Sequence, residues 1–162
     1  MNELQLQIDR YKTYFQPCFV TAFRILKDKM WAEDIVHDVF LSYYDNLKNN
    51  KSILNELAWL RKCTANACIN AFRKKHHLEL SAESVIISEQ EESNFEGVAL
   101  EKILEAINKL PHGYRIITEL ILLDQWSHDE VGELLGISAS TSRSQLTRAR
   151  KILQEKLSDY VR

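Results

Sequence analysis

Apolar side chains recur at steps of three and four along most of this chain. Leu4, Ile8, Tyr11, Phe15, Phe19, Ala22 and Phe23 form the first such series, and that period is the mark of an amphipathic helix. Pro17 lies inside it, which predicts a fresh helix start or a kink, because proline has no N–H to give. The aromatic stripe predicts core packing rather than a cofactor box. A second helix is predicted over 32–47. Its apolar side is Ile35, Val36, Val39, Phe40 and Tyr43, and Glu33, Asp34 and Asp38 make an acidic side. The polar run NLKNNKS at 46–52 predicts a loop. A long helix is then expected from about Ile53 to His76, with Leu57, Leu60, Thr64, Ala67 and Ala71 as its core positions.

Between 78 and 96 the period fades while Ser and Glu accumulate, so a flexible linker is expected there, with room for a short helical piece. Periodicity returns over 98–110. Pro111 can open the next helix at its first turn, which runs to about Leu123. Two more helices are predicted near 127–135 and 138–157. No internal repeat is present. With four Gly and two Pro in 162 residues, the punctuation that many short strands need is missing, and the expected fold is all-α.

The last two helices carry the first sign of chemistry. Ser127-His128-Asp129-Glu130 has the form of a capping box, Gly136 supplies a turn, and Ser138 can cap the final helix. Beyond Ser138, one side of that helix collects Ser142, Leu146, Ala149, Leu153 and Leu157. The other collects Arg143, Ser144, Thr147, Arg148 and Lys151. Its first turns present Ser140, Thr141, Arg143, Ser144 and Gln145: short polar residues that let a helix end enter the major groove, and Arg and Gln to reach base edges. That is the pattern of a DNA-binding helix-turn-helix. An ordinary helix pair with a solvated basic face has the same spacing.

Composition adds little, but charge order adds more. Apolar residues at 45 % and charged ones at 27 % fit a soluble globular protein, and the formal net charge of −2 does not mark a nucleic-acid binder. Yet residues 61–77 hold five bases and no acids, 81–97 five acids and no bases, and 143–162 six bases against two acids. Basic, acidic, basic implies two anion-binding surfaces joined by a charged connector. On the face of the long helix away from its core stand Asn55, Trp59, Lys62, Asn66 and Arg73. An indole among amides and bases suits stacking on an unpaired nucleobase; equally, Trp59 can pack beneath a neighbouring helix. The run Arg73-Lys74-Lys75 reads as a phosphate patch or as a solvated helix end.

Cys18, Cys63 and Cys68 are an odd number without a CxxC pair, so no disulfide framework or metal site is expected and the thiols read as small core residues. No apolar run spans a membrane, and MNELQLQIDRYK is not built as a signal peptide, so a cytoplasmic protein is expected. No nucleophile, acid–base pair or phosphate loop is visible; neither an enzyme nor a cofactor is expected.

The residues do resemble a known family. Ala32-Glu33-Asp34-Ile35-Val36-His37-Asp38-Val39-Phe40 resembles region 2 of the extracytoplasmic-function (ECF) RNA polymerase sigma factors, as do Ala58-Trp59-Leu60, Asn66 and Phe72-Arg73-Lys74-Lys75. Leu110-Pro111 with Arg115 resembles the opening of region 4. Gly136-Ile137-Ser138, Thr141 to Leu146 and Arg148-Ala149-Arg150 resemble its recognition helix. The resemblance covers nearly the whole chain in order. It implies a region 2 domain over 1–77, a linker over 78–97 and a region 4 domain over 98–162.

The resemblance further implies a factor that binds core RNA polymerase, directs it to promoters and assists melting. Reading of the −35 duplex then falls to Ser140, Thr141, Arg143, Ser144, Gln145 and Arg148. Capture of the unwound −10 strand falls to Asn49, Asn50, Lys51, Trp59, Lys62, Asn66, Arg73 and Lys74. Contact with the β′ clamp helices falls to Asp34, His37 and Asp38. The β flap and an anti-sigma factor are implied as further partners. Three positions depart from the family's usual residues: His37 for Gln, Asn70 for Asp, Ser140 for Gly. A stand-alone helix-turn-helix regulator, dimeric on half-sites, is the alternative, followed by an interaction protein that titrates polymerase.

Overall fold

The computed structural model describes residues 2–49, 51–76 and 98–160. Among them there are seven α-helices and no strand, and the chain divides into two compact units, Met1–Glu79 and Leu80–Arg162. The linker expected over 78–97 lies outside the described residues.

The first unit packs three helices, each against the other two. Helix α1 is Glu3–Leu26, with Asn2 as its cap. It runs unbroken through Pro17, so neither the fresh start nor a helix-ending break occurs. A proline inside a helix costs about 3 kcal/mol. Burial of Cys18, Thr21, Ala22, Ile25 and Leu26 just beyond it offsets that loss. Lys27 then adopts a left-handed conformation (φ 54°). The Asp28 carboxylate accepts the Trp31 N–H at 2.9 Å, and α2 spans Lys29–Lys48. It begins three residues before the predicted position because the Asp28 cap, not the first apolar residue, sets its start.

Helix α3 is Glu56–His76, and it starts later than predicted for the same kind of reason. Asn55 Oδ1 accepts the Ala58 N–H at 3.0 Å, which leaves 51–55 outside the helix. Its core face also differs from the expected stripe. Leu60, Thr64, Ala65, Cys68 and Ile69 are buried, whereas Leu57, Ala67 and Ala71 lie on the shoulder. Counting through small residues placed the stripe too far round; the bulk of Ile69 decides it.

In the second unit α4 (Leu100–Asn108) and α5 (His112–Thr118) precede a π-helical turn at Glu119–Leu123. Then come α6 (His128–Leu135), α7 (Ala139–Leu157) and a 3₁₀ turn, Ser158–Tyr160. Ala106, Ile107, Leu110, Ala149, Leu153 and Leu157 form one core cluster. The buried face of α7 is Ser142, Leu146, Ala149, Leu153 and Leu157, the face the sequence predicted. Beneath it lies a buried ion pair that periodicity does not foresee: Arg115 Nη1 stands 3.2 Å from Glu119 Oε2, and His112 Nδ1 lies 2.8 Å from Arg115 Nη2.

Candidate nucleic-acid interface

The helix-turn-helix is built by its backbone. Ser127 Oγ accepts the Glu130 N–H at 3.1 Å, and Glu130 Oε2 accepts the Ser127 N–H at 2.9 Å, closing the predicted capping box. Gly136 takes the left-handed conformation (φ 69°) that ends α6. Gly132, which periodicity passes over, is as important. A Cβ there would lie 2.7 Å from the Ile137 carbonyl oxygen, so only glycine lets the turn fold back against α6. Ser138 Oγ then accepts the Thr141 N–H at 3.0 Å and donates to Thr141 Oγ1 at 2.9 Å.

Of the predicted readers, Ser140 and Arg143 are exposed, and Thr141, Ser144, Gln145 and Arg148 are half-buried on the adjoining face of α7. Ser140, Arg143 and Ser144 share one outward stripe by helical spacing. Thr141, Gln145 and Arg148 form the neighbouring one. Ser142 is fully buried, and its hydroxyl lies 2.9 Å from His128 Nδ1, a link between α6 and α7 not foreseen from sequence. Burial, then the nearby Arg143 and Arg150, hold the His128 pKa below its usual value against the opposing pull of Asp129.

In the first unit, the segment after α2 and the start of α3 border an open cavity of about 350 Å³, lined by Asn46, Lys51, Ser52, Ile53, Leu54, Asn55 and Trp59. Its volume falls in the range of small-ligand clefts. The structure thus brings Lys51 and Trp59 together. Asn49 caps α2 and is exposed; Asn50 lies outside the described residues. Lys62 and Asn66 are exposed and Arg73 half-buried along the same line of α3, with Lys74 exposed beside it. Lys75 Nζ instead sits 4.5 Å above the Trp31 ring, so the basic run is divided between surface and packing. The packing reading of Trp59 holds in part. It is half-buried, its ring centroid is 5.9 Å from that of Tyr43, and it also walls the cavity. Ile53 and Leu54 were missed; a fully exposed Leu54 beside a polar loop was the available signal.

Behind the cavity, Glu56 in the first turn of α3 pairs with Arg10 of α1 at 3.0 Å. Burial, then the nearby Glu56 carboxylate, raises the pKa of the Tyr14 phenol. Tyr43 is fully buried and closes no hydrogen bond of ordinary geometry among the described residues. Burial, then the Glu56 carboxylate beside it, raises its pKa.

On α2, Asp34 and Asp38 are exposed as expected, and Met30 and Leu41, exposed by 77 % and 64 %, extend their stripe. His37 leans toward α1: its Nε2 lies 3.0 Å from Tyr11 Oη, and its ring meets Tyr11 and Phe15 edge-on. All three thiols are free. Burial pushes Cys18 up to about 11 and Cys68 up to about 12.

Comparison with known proteins decides what this pair of units is. The family model for Sigma-70 region 2 matches residues 11–77, and that for Sigma-70 region 4 matches residues 100–153. The ECF RNA polymerase sigma factor SigW of Bacillus subtilis is 29 % identical over 167 residues, covering 94 % of this chain and 87 % of SigW. This chain belongs to the ECF sigma factors. RNA polymerase sigma factor SigZ of the same organism is 28 % identical over 92 % of this sigma factor and 85 % of SigZ. The sigma factor RpoE of Bartonella quintana, solved in complex with the anti-sigma factor NepR, matches with a TM-score of 0.60 at 23 % identity. The match covers 93 % of this chain and 95 % of that one; it shows the shared fold. This sigma factor is therefore a transcription initiation factor that directs RNA polymerase. A stand-alone helix-turn-helix regulator is not favoured, since such a protein needs no region 2. No described helix is long and apolar enough to cross a membrane.

Proposed function

We propose that the two units make two different promoter contacts. In the region 4 domain, 98–162, Ser140, Thr141, Arg143, Ser144, Gln145 and Arg148 meet the −35 duplex, with Arg143 at base edges. In the region 2 domain, 1–77, Lys51 and Trp59 receive a base of the unwound −10 strand, and Asn49, Asn50, Lys62, Asn66, Arg73 and Lys74 follow its backbone. The observation that carries this division is that each unit holds a different kind of surface. One is a helix end that presents exposed Ser140 and Arg143 with half-buried polar side chains beside them. The other is an indole-walled cleft with a lysine at its side. Duplex reading needs the first and an unstacked base the second.

Asp34 and Asp38, with Leu41 and Met30 beside them, form the polymerase clamp contact. His37 supports it from the α1 side. Exposed Leu100 and Tyr160, at the start of α4 and the end of the chain's last turn, support docking of the β flap on the region 4 domain. The anti-sigma partner of the Bartonella protein supports a like regulator for this chain, and a role on RNA polymerase supports a cytoplasmic location.

Binding energy drives the process. Extruding a base costs a few kcal/mol, and stacking contributes about 1–3 kcal/mol per base. Neither unit opens DNA alone; the polymerase must supply the remainder. In vitro transcription with core polymerase over a promoter library tests the proposal. Enrichment of templates sharing one −35 and one −10 element is expected, and transcription independent of either element would contradict it.

A further inference from the structure

The cleft that takes the unpaired base has one wall on a side chain that is not held by the cleft itself. Trp59 rests on Tyr43 of α2. Tyr43 is buried and faces Glu56, which stands one helical turn before Trp59 on α3 and so on the same side of that helix. Glu56 is tied to Arg10 of α1 at 3.0 Å, with only 27 % of the arginine and 20 % of the glutamate side chain exposed. The Tyr14 phenol stands near it as well. One carboxylate therefore ties α1 to the first turn of α3, next in sequence to Asn55 of the cleft lining. The next residue toward the cleft, Asn55, caps α3 and lines the cavity. A shift of the first turn of α3 moves the cap, the Ile53–Leu54 wall and the indole together.

We propose that Glu56 is the positioning residue of the base cleft. Paired with Arg10, it fixes the first turn of α3 and, with that turn, the Asn55 cap and the position of Trp59 one turn on. The proposal rests on the reading of the cleft as the site of the unpaired base. Glu56 does not touch DNA. Its carboxylate acts by holding the first turn of α3 to Arg10 of α1, so that stacking does not have to order the cap, the cleft wall and the indole first. Losing that preorganisation weakens strand capture without removing any group that contacts the strand.

The test uses holoenzyme reconstituted from core polymerase and full-length Glu56→Ala, Glu56→Gln, Trp59→Ala or unaltered protein. The probe is a fluorescent single-stranded oligonucleotide carrying the −10 element. Glu56→Ala is expected to weaken oligonucleotide binding about tenfold while core-polymerase affinity is unchanged. Glu56→Gln, which keeps an oxygen acceptor for the Arg10 guanidinium, is expected to recover most of the loss. Trp59 emission, read in a background with Trp31→Phe and Trp126→Phe, is expected to shift for Glu56→Ala and to return for Glu56→Gln. A weak Trp59→Ala together with a normal Glu56→Ala overturns the proposal alone. So does a Glu56→Ala defect that leaves Trp59 emission unmoved. Normal oligonucleotide binding by Trp59→Ala overturns the reading of the cleft, and the proposal with it.

Discussion

Gly132→Ala is the substitution whose effect can be worked most directly from the geometry. The new methyl would sit 2.7 Å from the Ile137 carbonyl oxygen and 3.4 Å from the Ala139 nitrogen. Its neighbours there are backbone atoms, which cannot swing aside as a side-chain tip can. To bring the first contact to 3.0 Å or beyond, the turn must move, and with it the bond in which the Gly132 carbonyl accepts the Ile137 N–H at 3.0 Å. Overpacking of this kind costs about 1–3 kcal/mol. Alanine's better helix propensity returns at most ~1 kcal/mol. A net loss of about 1–2 kcal/mol is expected, and the melting point of a unit this size drops roughly 4–8 °C for each kcal/mol. The moved turn also carries the Ser138 cap, so the start of α7 tilts and −35 binding falls while region 2 is untouched. Thermal melting, with amide exchange to locate the loss in α6 and α7, is the assay. A variant as stable as the parent, with unchanged exchange in α7, would refute the close approach.

Buried charge and titration give the other predictions. Glu119→Ala leaves the Arg115 guanidinium buried without its carboxylate and should cost about 3–5 kcal/mol. Arg115→Met with Glu119→Leu should recover most of that in denaturant unfolding, and a double variant no better than the single would contradict a pair-specific cost. His128 is held below its usual pKa in the folded state, so the unfolded chain takes up the proton first. Stability should therefore fall as pH drops through about 6.5 and continue to fall until the folded group titrates. His128→Gln should flatten that part of the curve, and an unchanged slope would assign it elsewhere. Cys18 and Cys68 are buried and raised in pKa, so a thiol reagent at pH 8 should modify half-buried Cys63 first. Equal rates for all three in the native protein would speak against the packed first unit.

The buried faces of α2 and α7 were legible in the sequence, whereas those of α1 and α3 lie to one side of the predicted stripes. The α7 stripe from Ser142 to Leu157, the capping box at Ser127 and the left-handed Gly136 all follow from local chemistry, and the structure has them where the spacing put them. The illegible features depend on partners distant in sequence. The core face of α3 turns on how Ile69 meets α1 and α2. The importance of Gly132 lies in a carbonyl five residues on. The Glu56 junction needs Arg10, which comes from α1. The fresh helix start expected at Pro17 fails for the same reason: its local cost is plain, but the burial that offsets it is tertiary. For the site, residue types were readable and their division of labour was partly so. Trp59 was open between core and contact, and the structure sets it against Tyr43 while leaving it on the cleft wall.

A factor in which one unit holds duplex and the other holds the opened strand should be separable by single substitutions. Holoenzymes bearing Arg143→Ala and Trp59→Ala, compared on one promoter for −35 duplex binding and for permanganate reactivity of the −10 thymines, test this most directly. Arg143→Ala should lose duplex binding yet still open DNA once loaded at high concentration. Trp59→Ala should bind the −35 duplex normally and show little permanganate reactivity. If both substitutions lower both signals in proportion, or if Trp59→Ala opens the promoter as well as the parent does, the division of labour is wrong.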